Sequence, residues 1–173
     1  RKWDKAHNAD RLESFFTKAS KRSPHLMLAT EGVLEGYVVS DVLKRPELER
    51  RYYEIAEPID GHYIKRFMQL AKKLNTCLVF GFAELVGQSI FNTAVFIDQM
   101  GNIRGKYQKT QFAEGTVDSC KFNSVGKEIK AFDTPVGRVG IVICNDRWNP
   151  RITRTLVLDG AQLILIPSYG AKT

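Results

Sequence analysis

Apolar and polar positions follow two rhythms along the chain, one of helical spacing and one of strand length. Leu12, Phe15, Phe16 and Ala19 recur at helical spacing from Asn8 or Asp10 onward. That run ends in Lys18-Ala19-Ser20-Lys21-Arg22, whose positive charge suits a helix C-terminus, and Ser23-Pro24 breaks it. Leu26-Met27-Leu28-Ala29 then predicts a short strand that delivers Glu31 just past its end. Residues 31–37 contain Gly32 and Gly36 and predict a shaped loop. Residues 41–56 are charged and predict a surface helix, with Pro46 near a turn start. Asp60 has the right side chain for an N-cap, and Tyr63, Ile64, Phe67, Met68, Leu70, Ala71 and Leu74 after it make a strong amphipathic helix.

Further along, residues 76–82 and 89–98 predict strands. The second is joined through Gln99-Met100-Gly101-Asn102 to residues 103–108 as a hairpin. This hairpin brings Lys106 and Lys109 to its far end, on opposite faces if the strand is regular. Residues 110–126 have little periodicity and predict an active-site loop, and residues 128–134 resume a strand. Val139, Ile141, Val142 and Ile143 form a β-branched run buried on both faces, with Cys144 directly after it. Pro150 fits the first turn of a helix carrying Ile152, Leu156 and Val157, Asp159-Gly160 stops it, and residues 161–167 form a last strand. Helices alternating with strands, plus a hairpin, predict an α/β layered sandwich formed by residues 1–173 as one domain.

Composition narrows the classes. With 43% apolar and 26% charged residues, 173 residues can bury a core. The formal charge is +7, but acids interleave with bases, as in Lys44-Arg45-Pro46-Glu47-Leu48-Glu49-Arg50-Arg51. Such a run is a solvated helix face and does not point to nucleic acid. No apolar stretch approaches membrane-spanning length, no signal peptide is read, and no membrane partner is expected. Cys77, Cys120 and Cys144 are an odd set without metal spacing, and His7, His25 and His62 stand apart from them. No metal and no cofactor are therefore expected, and a reducing, cytoplasmic location is. The chain opens at Arg1 without methionine and closes just after a strand, so it reads as a piece of a longer protein.

Cys144 is the candidate for chemistry. A buried cysteine often acts only as a small apolar filler. At a strand-to-helix corner, however, it would meet the helix's free amides and positive dipole end, which favour the thiolate and lower its pKa. Glu31, Lys109 and Cys144 each follow a strand, and strand ends on one side of an α/β sheet are where sites form.

Four segments in order resemble the nitrilase, or carbon–nitrogen hydrolase, superfamily. They are Thr30-Glu31 with Gly36-Tyr37, Asn92-Thr93-Ala94, Gly105-Lys106-Tyr107-Gln108-Lys109, and Gly140-Ile141-Val142-Ile143-Cys144-Asn145-Asp146-Arg147. In the first, threonine replaces the family's proline. The resemblance implies a four-layer αββα sandwich, here truncated at both ends, lacking a first strand and the C-terminal part. An apolar face would then remain exposed. It also implies a Glu31–Lys109–Cys144 triad: a general base, an oxyanion-stabilising cation, and a nucleophile forming a thioester. Asn145 would add its backbone N–H, and Glu114 would be a second carboxylate beside Lys109. The Cys144-to-Trp148 run resembles N-carbamoyl-amino-acid amidohydrolases more than true nitrilases. There Arg147 would bind substrate and Trp148 would line the pocket or simply pack, while Asp146-Arg147 could equally be an ion pair or a contact shaping the corner. The implied function is hydrolysis of a small linear amide or N-carbamoyl compound by a homodimer. The alternatives are a nitrilase, an amide-dependent acyltransferase, or a non-catalytic interaction module.

Overall fold

The computed structural model describes residues 1–113 and 120–170. Two sheets lie face to face. In the first, β1 (Leu26–Leu28), β2 (Cys77–Val86), β3 (Ser89–Ile97) and β4 (Ile103–Gln108) are ordered β1-β2-β3-β4. β1 runs parallel to β2, and β2, β3 and β4 form an antiparallel meander. In the second sheet, β5 (Phe132–Thr134), β6 (Gly137–Ile141) and β7 (Leu163–Leu165) are ordered β5-β6-β7, with β6 and β7 parallel across the helix α5 (Pro150–Leu158). Among the described residues the other α-helices are α1 (Lys5–Ser20), α2 (Val39–Lys44), α3 (Glu49–Ile55) and α4 (His62–Leu74).

The pleat divides the apolar residues into layers. Leu78, Phe80 and Phe82 of β2, with Val95 and Ile97 of β3, pack on Leu12 and Phe16 of α1 and on Ile64, Phe67 and Leu70 of α4. Alternate residues Cys77, Val79, Ala94 and Phe96 face Val139, Ile141, Ile143 and Leu165 of the second sheet. Val142 on the far side meets Ile152 and Leu156 of α5. The order is therefore helix, sheet, sheet, helix, the αββα sandwich expected from the sequence.

Several local boundaries differ from the sequence reading. α1 begins at Lys5, because the Asp4 side chain caps it by accepting from His7 N at 3.1 Å, and Phe15 points to solvent. Gly61, not Asp60, stands at the start of α4. Glu57 reaches across instead, accepting from Tyr63 N at 2.8 Å. The 41–56 segment is two short helices joined by a 3-10 turn. It is not merely superficial, because Val42 and Tyr52 are buried with Ala83, Ile90 and Phe122. β5 is shorter than residues 128–134 predicted. Val157 and Leu158 of α5, Leu163 of β7 and Ile166 just after it are exposed. Among the described residues no helix is long and apolar enough to cross a membrane.

Candidate active site

Three strand ends and one turn bring the predicted residues together. β1 continues past its last residue along β2: Ala29 N donates to Val79 O at 2.8 Å, Gly81 N to Thr30 O at 3.1 Å, and Val33 N to Gly81 O at 2.9 Å. A Cβ on Gly81 would stand 2.7 Å from Glu31 Cα and 2.6 Å from Gly32 N, so only glycine allows this close passage. Glu31 is thereby set into the interior, 1% exposed. Lys109 follows β4, and its amide donates to Asn92 O at 2.8 Å, which continues the β3–β4 pairing. Its side chain is fully buried, and Nζ lies 2.6 Å from Glu31 Oε1. Such a sealed pair persists because each charge compensates the other's desolvation.

The carboxylate of Glu31 receives two further donors. Asn92 Nδ2 donates to Oε1 at 2.8 Å, and the backbone N of Tyr169 donates to Oε2 at 3.1 Å. The Cys144 thiol points toward the Tyr169 carbonyl, 3.7 Å away, so the backbone of one residue touches both Glu31, through its N–H, and Cys144, through its C=O. Cys144 itself is half-buried. Its backbone has φ 49°, in the left-handed region that non-glycine residues avoid.

The corner differs from the expected helix start. Cys144 opens a 3-10 turn, Cys144–Trp148, and α5 starts only at Pro150, with Asn149 capping Arg151 N at 3.1 Å. The helix dipole is therefore displaced from the sulfur. Burial pushes the Cys144 thiol pKa up, the charge of Glu31 adds to this, and the Lys109 charge and the Tyr169 backbone oppose it only in part. The expected lowering is overturned: the resting group is a thiol.

Asp146 is buried and shapes this corner. It accepts from Ile143 N at 3.1 Å, Gln111 N at 2.7 Å and Thr110 Oγ1 at 3.1 Å. It does not pair with Arg147, which reaches Ser168 Oγ at 3.3 Å and lies over the exposed Trp148 ring. Asn145 places its side-chain amide on Phe112 O at 3.1 Å. The first amide with a partner inside the turn is that of Asp146, on Ile143 O, so the Asn145 amide precedes the turn's own hydrogen bonding. Glu114 lies outside the described residues. Lys106 faces away from Lys109 as expected and pairs with buried Glu84. A cavity of about 450 Å³ lies between α1 and the Glu31 loop, and Cys144 is not in its lining. Among the described residues no His, Cys, Asp and Glu cluster could hold a metal.

The sequence reading missed three contributors. Asn92 was part of a quoted motif, but nothing in the linear pattern aimed its amide at Glu31. Tyr169 acts through its backbone, which side-chain patterns do not report. Glu35, four residues after Glu31, is buried with its pKa pushed up to about 7, chiefly by burial, while Oε2 accepts from Ala83 N at 3.0 Å.

Fold and site together define an αββα protein with a buried acid–base pair beside a cysteine corner. The chain belongs to the carbon–nitrogen hydrolase family, whose model matches residues 1–173. It is 30% identical over 168 residues to a citrullinase of Francisella tularensis, covering 95% of this chain and 57% of that protein. It is 28% identical over 166 residues to an N-carbamoylputrescine amidase of Oryza sativa subsp. japonica, covering 94% and 53%. Saccharomyces cerevisiae Nit3, a member of branch 10 of the nitrilase superfamily, shares the fold with a TM-score of 0.81 at 24% identity, over 98% of this chain and 60% of that one. An amidase from Nesterenkonia sp. does so with a TM-score of 0.79 at 23%, over 99% and 62%. The chain thus spans a little over half the length of these curated relatives.

Proposed function

We propose that the protein hydrolyses the carbon–nitrogen bond of a small linear amide or N-carbamoyl compound, with Cys144 as nucleophile, Glu31 as base and Lys109 as the stabilising cation. One observation carries the reading: a solvent-sealed Lys109–Glu31 pair stands beside a half-buried thiol on a strained corner. Family membership supports the reaction class. Two relatives are named for citrulline and N-carbamoylputrescine, both ureido compounds, which favours an N-carbamoyl substrate.

The chemistry follows from the groups present. Because the resting sulfur holds its proton, transfer to Glu31 accompanies attack on the carbonyl carbon. The carbonyl π pair moves to oxygen, and the oxyanion meets the Lys109 ammonium and the Asn145 amide. The oxyanion collapses, the carbon–nitrogen bond breaks, and Glu31 returns its proton to the leaving nitrogen. A thioester remains. Water then gives a proton to Glu31 and adds to the thioester carbon, and the carbon–sulfur bond breaks as the proton returns to sulfur. Arg147, Trp148 and Ser168 form the exposed rim where the substrate's remaining groups would lie. The protein is read as a homo-oligomer when full length.

Ammonia or amine release from a panel of N-carbamoyl amines, N-carbamoyl amino acids and simple amides tests this, with Cys144→Ala and Glu31→Gln as controls. Turnover of at least one ureido or amide substrate, abolished in both variants, is expected. Turnover that survives Cys144→Ala overturns the reading.

A further inference from the structure

Glu31 Oε1 carries both Lys109 Nζ at 2.6 Å and Asn92 Nδ2 at 2.8 Å, whereas Oε2 accepts from the Tyr169 amide at 3.1 Å and has no ion pair among the described residues. The two oxygens of one carboxylate are therefore unequal. Asn92 is 7% exposed, and its Oδ1 is buried without a partner among the described residues. A side-chain amide in the interior normally satisfies both ends. This one leaves its acceptor orphaned while its donor is held on Glu31, so the carboxamide is committed to that single bond. It is fixed there from behind, because Asn92 O receives the Lys109 amide at 2.8 Å and β3 pairs on both sides.

We propose that Asn92 is a positioning residue that saturates Glu31 Oε1, so that Oε2, facing the Tyr169–Cys144 side, is the oxygen that takes and returns the proton. This rests on the reading of Glu31 as base. Lys109 alone could leave either oxygen free, since an ammonium is a rotatable point charge. The planar amide adds direction: a second donor on Oε1 lowers that oxygen's basicity and orients the carboxylate plane. Among the described residues, the charged and titratable groups facing Glu31 are Lys109 after β4, Cys144 after β6 and Glu35 on its own loop. Asn92 adds a neutral, directional donor to this shell.

The test compares Asn92→Leu, of similar shape without a donor, and Asn92→Asp, which is isosteric, by kcat and KM across pH. Asn92→Leu is expected to lower kcat by about ten- to a hundredfold, the worth of a hydrogen bond to a charged group, with KM little changed. Its acid limb is expected to move to higher pH, because the ionised base has lost a donor. Asn92→Asp can donate only while the two carboxyls share a proton. It is therefore expected to keep activity at lower pH and to lose it on the alkaline side at lower pH than the parent does, a readout that remains if the leucine variant fails to fold. An Asn92→Asp profile superimposable on the parent, or Asn92→Leu with kcat within about twofold and an unmoved acid limb, overturns the inference. Activity that persists in Glu31→Gln overturns instead the base reading beneath it.

Discussion

The rings of Tyr37 and Tyr169 stack with centroids 4.4 Å apart and 16° between their planes. Tyr37 closes the loop that Glu31 opens, and Tyr169 follows β7, so the stack ties the Glu31 loop to the residue whose backbone also meets Cys144. Tyr169→Ala is expected to lower kcat about threefold to tenfold, the worth of an aromatic pair. Tyr169→Phe keeps the ring and should keep the rate. Steady-state kinetics of both variants check this, and an equal loss in the two would assign the effect to the hydroxyl.

Lys109 is ion-paired with Glu31, its charge also reaches buried Asp146, and among the described residues Glu31 has no other cation at contact distance. Lys109→Met is expected to reduce kcat by about a hundredfold to a thousandfold while KM changes little. It is also expected to lower the melting temperature, because a buried carboxylate is left uncompensated. Adding Glu31→Gln should restore stability but not turnover. Thermal melts beside kinetics distinguish the two effects.

Burial and the Glu31 charge hold the Cys144 thiol above its ordinary range. Iodoacetamide should therefore label Cys144 slowly at neutral pH, with the rate rising on the alkaline side. Removing the negative charge in Glu31→Gln is expected to move that rise to lower pH even as turnover stops, so thiolate formation and catalysis separate. Peptide mapping of labelled protein across pH reads Cys144 apart from exposed Cys120 and buried Cys77. A midpoint unmoved by Glu31→Gln would leave the carboxylate without electrical contact to the sulfur.

Glu35 carries a proton in the fold to about pH 7, against a model-peptide value of 4.5. A raised carboxyl pKa means the folded state holds the proton more tightly, so its favourable contribution is full below pH 4.5 and lost as pH rises toward 7. The loss is about 3 kcal/mol. Glu35→Gln keeps an acceptor for Ala83 N without the charge. It is expected to raise the melting temperature at pH 8 and leave it nearly unchanged at pH 5, as scanning calorimetry at both would show.

Much of this was legible because strands buried on both faces are strongly patterned. Val139 to Ile143 and the β2–β4 meander announce themselves, and the residues that end them are the ones brought together. What the linear pattern concealed depends on distant partners. Asp60 has the chemistry of a cap, yet Glu57 does the capping because the chain turns back on itself. The dipole reading of Cys144 failed because Asp146 holds Ile143 N and Thr110, inserting a 3-10 turn before α5. Asn92 and the Tyr169 peptide belong to the site through sheet register and backbone direction, which only the assembled fold defines.

The left-handed backbone at Cys144 has a consequence for selection. At φ 49° a side chain costs on the order of 1 kcal/mol that glycine does not incur. Cys144→Gly is therefore expected to melt higher than the parent while being inert. A library screened for folding alone would drift toward glycine at this position, so persistence of cysteine there under a stability screen would be the surprising result. The proposed nucleophile is then a residue the fold would rather lose, kept at a conformational cost that only turnover can justify.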